Sequence, residues 1–212
     1  MRKLGLPAIK NEEHWTYAHY KTWPDDERWE LIHGVAYNMS ATPATPHQAL
    51  LVYFIRKIGN MLEGRPCQLF AAPFDVFLPA GDEKEDDIDT IVQPDVVVIC
   101  DKNKINYKGC RGAPDLIIEI LSPSTSRKDQ REKFDLYQEK GVREYWVVDV
   151  KGRWITQYLR GAEGLFDNGT VLVVEPETGY GAAKPGPFLE SVVLEGFALD
   201  LKECFAEVAA FV

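Results

Sequence analysis

The acids Asp95 and Glu119 stand inside two runs of branched apolar residues, Gln93-Pro94-Asp95-Val96-Val97-Val98-Ile99-Cys100 and Ala113-Pro114-Asp115-Leu116-Ile117-Ile118-Glu119-Ile120-Leu121. Two converging carboxylates offer hard oxygen donors to a small divalent cation such as Mg²⁺ or Mn²⁺. Both runs read as β-strands, and strand side chains alternate between faces. Asp95, Val97 and Ile99 then share a face, as do Ile117, Glu119 and Leu121, while Leu116, Ile118 and Ile120 take the other. A strand apolar on both faces is a central one. An unpaired carboxylate is costly there, so Glu119 needs a cation, a metal or a proton.

The next segment supplies a cation. Ser122-Pro123-Ser124-Thr125-Ser126 offers several N-caps and Gly141 a stop, so a helix is predicted between them. Phe134, Leu136 and Tyr137 define its apolar stripe, and Lys133 falls within it. Arg127, Lys128, Arg131, Glu132, Asp135 and Glu139 point away. Lys133 is either a snorkelling lysine at the stripe edge or an ammonium aimed at the sheet face of Asp95 and Glu119.

Pro94-Asp95, a later strand Glu119 and a lysine resemble the PD-(D/E)XK nuclease superfamily. The run from Gly112 through Glu119 to Thr125 resembles, more narrowly, a large prokaryotic family of restriction endonuclease-like proteins. Lys133, Tyr137, Gly141-Val142 and Glu144-Tyr145-Trp146-Val147-Val148-Asp149 continue the match. So do Glu30…Gly34…Tyr37, Pro46-His47 and Ala72-Pro73-Phe74-Asp75-Val76. The superfamily places a lysine two residues after the glutamate, where this chain has Leu121. The departure means either that Lys133 acts from the helix instead or that catalysis is impaired. The resemblance also implies that the backbone carbonyl of Ile120 completes a metal set with Asp95 and Glu119, and that Glu30 and Asp75 support them.

Each supporting residue carries an ordinary alternative. Trp29 to Tyr37 reads as a hairpin turning at Gly34, and its Glu30 faces either the site or solvent. His47 opens a helix running to Glu63 with Leu51, Ile55, Ile58 and Leu62 in register. It contacts substrate or a phosphate, or simply caps and packs. Cys67 to Leu78 reads as one strand, in which Asp75 is a third candidate carboxylate or a plain hydrogen-bonded acid. The acids of Gly81 to Asp89 lack the spacing of a calcium loop and suit a solvated connection. Asp101 to Arg111 reads as a lysine-rich surface loop, with or without a polyanion beside it.

At 212 residues and 45% hydrophobic, the chain suits one domain spanning 1–212, its core about residues 25–200. No run approaches a membrane span and no signal-peptide pattern is evident. Cys67, Cys100, Cys110 and Cys204 form no CxxC pair, which suits buried free thiols in a reducing cytoplasm. A net charge of −9 opposes sequence-independent binding of nucleic acid, although a metal site adds local positive charge. Weaker strands at Thr170 to Glu175 and Phe188 to Leu194 flank a Gly- and Pro-rich loop, and a short helix ends the chain.

The pattern alone supports a mixed α/β (α+β) domain, with the Glu119 and Trp146 strands parallel across their helix. The resemblance sharpens this to a restriction endonuclease-like core: a central mixed β-sheet flanked by helices, with an added N-terminal hairpin and C-terminal strands. It implies a Mg²⁺- or Mn²⁺-dependent endonuclease acting on nucleic acid, DNA first, with Asp95, Glu119 and Lys133 at its centre. Cutting both strands of a duplex would be simplest for a homodimer. The alternative is a catalytically silent nuclease fold, in which the same three residues form a buried ion-pair network and the protein binds nucleic acid or a protein partner.

Overall fold

The computed structural model describes residues 14–24, 26–39, 43–122, 127–174 and 187–211, with side chains of the third helix from residue 130. The stretch of N-caps at 123–126 and the loop at 176–186 lie outside the described residues, as do the side chains of Arg127 and Lys128. A helix α1 (Tyr17–Tyr20) precedes the expected hairpin, β1 (Trp29–Ile32) and β2 (Val35–Asn38). His33 and Gly34 form its turn at φ 49° and 75°, the double left-handed conformation that matches strand twist. Then come α2 (Thr45–Leu62), β3 (Gln68–Ala71), β4 (Asp75–Phe77), β5 (Ile91–Val92) and β6 (Val96–Ile99). A small hairpin, β7 (Ile105–Asn106) and β8 (Gly109–Arg111), leads to β9 (Leu116–Leu121), α3 (Arg127–Lys140) and β10 (Glu144–Asp149). The chain closes with β11 (Trp154–Leu159), β12 (Thr170–Val173), β13 (Phe188–Glu190), β14 (Ala198–Asp200) and α4 (Leu201–Ala206).

The central sheet runs β12-β11-β10-β9-β6-β3, with β9 and β10 parallel and β6 antiparallel to β9. Both its faces are apolar, as the Val/Ile runs require. Val96, Val98, Ile118, Ile120, Trp146 and Val148 pack with α2 and α4. Val97, Ile99, Ile117, Tyr145 and Val147 pack with Leu136 and Tyr137 of α3. A second sheet runs β2-β1-β5-β4-β8-β7 and packs α1 through Tyr17, Trp29, Phe77 and Ile91. The chain passes from it to the central sheet through Gln93-Pro94-Asp95, between β5 and β6. Among the described residues no helix is long and apolar enough to cross a membrane.

Three sequence expectations change. Cys67 to Leu78 is two strands in different sheets, because Pro73 has no N–H to extend the ladder. Asp101 to Arg111 holds the β7–β8 hairpin. Its tip is ordered by Asn106 Oδ1, which accepts the backbone N–H groups of Lys108 and Gly109 at 2.8 and 3.2 Å. Cys67 and Cys100 are not free thiols but a disulfide. The antiparallel register pairs Gln68 with Ile99, which sets the two cysteines opposite each other one step on. Cys110 and Cys204 are free and buried, as expected.

One buried acid serves the fold alone. Glu144 is fully buried on the α2 face, and among the described residues no cation pairs with it. Its Oε1 accepts from Trp146 Nε1 and Gln157 Nε2, each at 2.7 Å. Its Oε2 accepts from Ser191 Oγ and the backbone of Val192 and Val193 at 2.7, 3.0 and 2.9 Å. Those bonds tie the β13 region to the sheet. Glu144→Ala strips five buried donors at once and should cost about 3 kcal/mol or more, read as a lower urea midpoint at unchanged slope.

Candidate active site

The register of β6 on β9 pairs Val96 with Ile118, so Asp95 stands opposite Glu119 just beyond the last ladder pair. Opposed side chains on one face lie about 5 Å apart at Cβ. With β6 ended, the N–H of Ile120 has no strand partner and donates instead to Asp95 Oδ2 at 2.7 Å. His47, in the first turn of α2, reaches the same oxygen through Nε2 at 3.2 Å. Pro46 in that turn needs no N–H partner, so the helix starts where His47 can face the sheet.

The opposite face supplies the cation. Lys133 Nζ donates to Glu119 Oε1 at 2.9 Å and to Glu30 Oε1 at 3.0 Å. The two glutamates come from different sheets, so one ammonium joins them. Lys133 is therefore turned inward rather than snorkelling, its side chain 13% exposed. Tyr137, one helical turn on, donates its hydroxyl to the same Glu119 oxygen at 2.7 Å. Glu30 is 2% exposed, and its Oε1 also accepts the backbone N–H of Gln93 at 2.8 Å. Asp75 lies alongside. Its Oδ1 accepts from Gln93 Nε2 at 2.8 Å and from the Tyr20 hydroxyl at 3.2 Å. Arg28 holds the Gln93 amide through Oε1 at 3.2 and 2.9 Å.

All six side chains expected from the sequence meet at the junction of the two sheets. Asp95 reaches the others through the β9 backbone rather than by a direct bond to Lys133. Gln93, Tyr20, Arg28 and Tyr137 were missed. Tyr137 carried a usable signal, since it sits four residues after Lys133 on the same stripe. Gln93 carried none, because its role depends on how two sheets are joined. Glu132 also departs from expectation, accepting a hydrogen bond from Tyr37 at 2.7 Å instead of pointing away.

Burial raises the Glu119 carboxyl. Lys133 pulls it down, but Asp95 and Glu30 add to the rise. Burial alone would lower Lys133, and its two carboxylates more than reverse that, so it stays an ammonium. Asp75 is raised by burial, against the hydrogen bonds of Gln93 and Tyr20. Burial lowers His47, and its bond to Asp95 outweighs this to leave the ring raised. Tyr137 is held well above its ordinary range by burial and remains a neutral donor.

The donor set fits a small hard cation. No hydrogen bond reaches Asp95 Oδ1 or Glu119 Oε2 among the described residues. In a β-strand the N–H and C=O of one residue point the same way, so the Ile120 carbonyl faces the side where Asp95 sits. Among the described residues no three His, Cys, Asp or Glu side chains are grouped to hold a metal. Two carboxylates and a carbonyl nevertheless suit Mg²⁺, which keeps several of its waters.

A family model described as "Putative restriction endonuclease" (Uma2) matches residues 17–185. The chain belongs to the Uma2 family. That match spans β1 through β12, including every residue of the site. The crystal structure of a putative nuclease of the DUF820 family from Anabaena variabilis is similar to the chain. It aligns at a TM-score of 0.69 with 18% identity, over 92% of this chain and 99% of that one. The alignment bears out the nuclease-like mixed α+β fold. No curated protein matches the chain.

Removing the shared ammonium should expose the repulsion it screens. Lys133→Met leaves Glu30 and Glu119 facing each other and takes away the ammonium that pulls the Glu119 carboxyl down, so Glu119 rises further. Folding then requires protons that the unfolded chain releases near its ordinary glutamate value, so the deficit grows as pH rises. Denaturant melts should show a loss of about 3 kcal/mol at pH 8 and a smaller one at pH 5.

Proposed function

We propose that the protein is a metal-dependent endonuclease that hydrolyses phosphodiester bonds in nucleic acid, DNA first. Family membership supports nuclease chemistry. The observation that carries the site is the Lys133 ammonium held between Glu119 and Glu30, next to Asp95. Asp95, Glu119 and the Ile120 carbonyl would hold Mg²⁺ or Mn²⁺. When bound, such an ion supplies positive charge to the phosphate and lowers the pKa of a bound water.

The chain's own residues would act around it. Lys133 keeps its proton and offers donors to the attacking water or to a phosphoryl oxygen, stabilising charge as it develops. Tyr137 and Lys133 together hold one oxygen of Glu119 and, among the described residues, leave the other without a hydrogen bond. Ile120 and His47 do the same for Asp95. Glu30 fixes the ammonium from the second sheet, and Gln93 joins Glu30 to Asp75, so both are positioning residues. A symmetric dimer would present two such sites to opposite strands. A cytoplasmic setting gives access to nucleic acid, and the Cys67–Cys100 disulfide is the feature at odds with it.

The silent-fold alternative rests on Leu121, where the superfamily has its lysine, and on a network whose charges already pair. Plasmid nicking separates the two readings. With Mn²⁺ the wild type should cut, and Glu119→Gln and Lys133→Ala should each lower the rate at least about 100-fold. A wild type that binds Mn²⁺ yet never cuts single- or double-stranded substrate would favour the silent reading.

Metal binding should also report the raised Glu119. Its proton must leave before it can ligate, so Mn²⁺ affinity should climb with pH well above the ordinary carboxylate range. Calorimetric titration between pH 5 and 8 measures this. Asp95→Ala should show no saturable binding at either end.

A further inference from the structure

Next to Lys133 on α3, Phe134 packs over β11 and the Phe166 turn. Its ring lies 4.9 Å from Tyr158 and 5.3 Å from Phe166, edge-on and tilted. These rings wall a cleft of 530 Å³ between α3 and the central sheet. Its floor is built from Tyr145, Val147, Thr156 and Tyr158, with Trp154 at one end. All five belong to the face that carries Glu119, since Glu119 pairs with Val147, Val147 with Thr156, and Tyr145 with Tyr158.

That register measures the distance to the site. Glu119, Val147 and Thr156 form one row across three neighbouring strands. Adjacent strands lie about 4.8 Å apart, so the floor begins one strand from Glu119 and reaches about 10 Å away. A group in the cleft would then sit about one nucleotide from a phosphate at Glu119 and Lys133.

The chemistry of the walls selects the kind of group. The cleft is aromatic and aliphatic inside, with Gln130 and Asn168 at its rim. Its one guanidinium among the described residues, Arg131, lies 3.9 Å from Asp135, and Asp167 at the rim accepts the backbone N–H groups of Leu159 and Gly169. Among the described lining residues a phosphate would find little net positive charge. A flat, neutral ring with a hydrogen-bonding edge fits better, stacking on aromatics while amides read the edge.

We propose that this cleft takes an unstacked nucleobase of the strand whose phosphate enters the Lys133 site. The proposal rests on the nuclease reading and adds the substrate form: a single-stranded or locally opened strand. A base inside an intact duplex cannot enter a pocket without leaving the stack.

The test uses the full chain in EDTA with a short single-stranded oligonucleotide that carries one 2-aminopurine. Binding should quench the probe's fluorescence. Tyr158→Leu and the rim variant Gln130→Ala should each weaken binding, the first about tenfold. A single abasic position in the strand should cost the wild type as much, and the abasic strand should bind wild type and Tyr158→Leu alike. Equal binding of intact and abasic strands by the wild type at every position tested would overturn the proposal. So would quenching by a free mononucleotide but not by the oligonucleotide, which would assign the cleft to a small ligand. No metal or cleavage enters the measurement, so failure of the nuclease reading would appear separately, in the nicking assay. Thermal melts of both variants identify any loss caused by unfolding, and Gln130→Ala, on the partly exposed side of α3, keeps the test open if Tyr158→Leu does not fold.

Discussion

One ammonium holds two carboxylates from two sheets. Lys133 lies within 3.0 Å of both Glu30 and Glu119, in a buried place where an unpaired charge is costly. Its own charge is favoured by the same pair, since burial on its own would lower the ammonium. The interaction is therefore mutual, and removing any member leaves an uncompensated charge in a dry junction. It also sets geometry. α3 must lie at one height over β9 for Lys133 to reach Glu119, and the β1 hairpin must pack close enough for Glu30 to reach Lys133. Net stability is not the evident gain from such an arrangement, since apolar residues of similar shape would serve a core as well. A preorganised charged pocket is what the arrangement provides.

The contrast with Glu144 makes the point. Glu144 is also buried on a strand of the same sheet, and five neutral donors satisfy both of its oxygens. Nothing is left over for a ligand. Among the described residues Asp95 and Glu119 each have one oxygen held and one without a hydrogen bond, and they stand opposite each other on one face. Both environments keep a carboxylate inside the protein. Only the second leaves acceptor capacity on neighbouring side chains of one face.

The central trio was legible because strand alternation is a short-range rule. Asp95 and Glu119 on buried faces, and Lys133 inside an apolar stripe, each broke a local pattern, and one convergence explains all three. Glu30 and Asp75 were found through resemblance, since a single acid on a short strand carries no such signal. What was missed depends on long-range placement. Pro73 divides a run that reads as one strand, and the division sends Asp75 to a second sheet. Gln93 matters because it ends one sheet as Asp95 begins the next. The Cys67–Cys100 pair follows from a register that no spacing of 33 residues announces. The aromatic cleft draws on α3, β10, β11 and the Phe166 turn, so no window of sequence contains it.

Crystals soaked in Mn²⁺ and measured at the manganese absorption edge test the central claim most directly. An anomalous peak should touch Asp95, Glu119 and the Ile120 carbonyl, with Lys133 still on Glu30 and Glu119. A strong peak on the acids between Asp82 and Asp89 and none at the junction would contradict it.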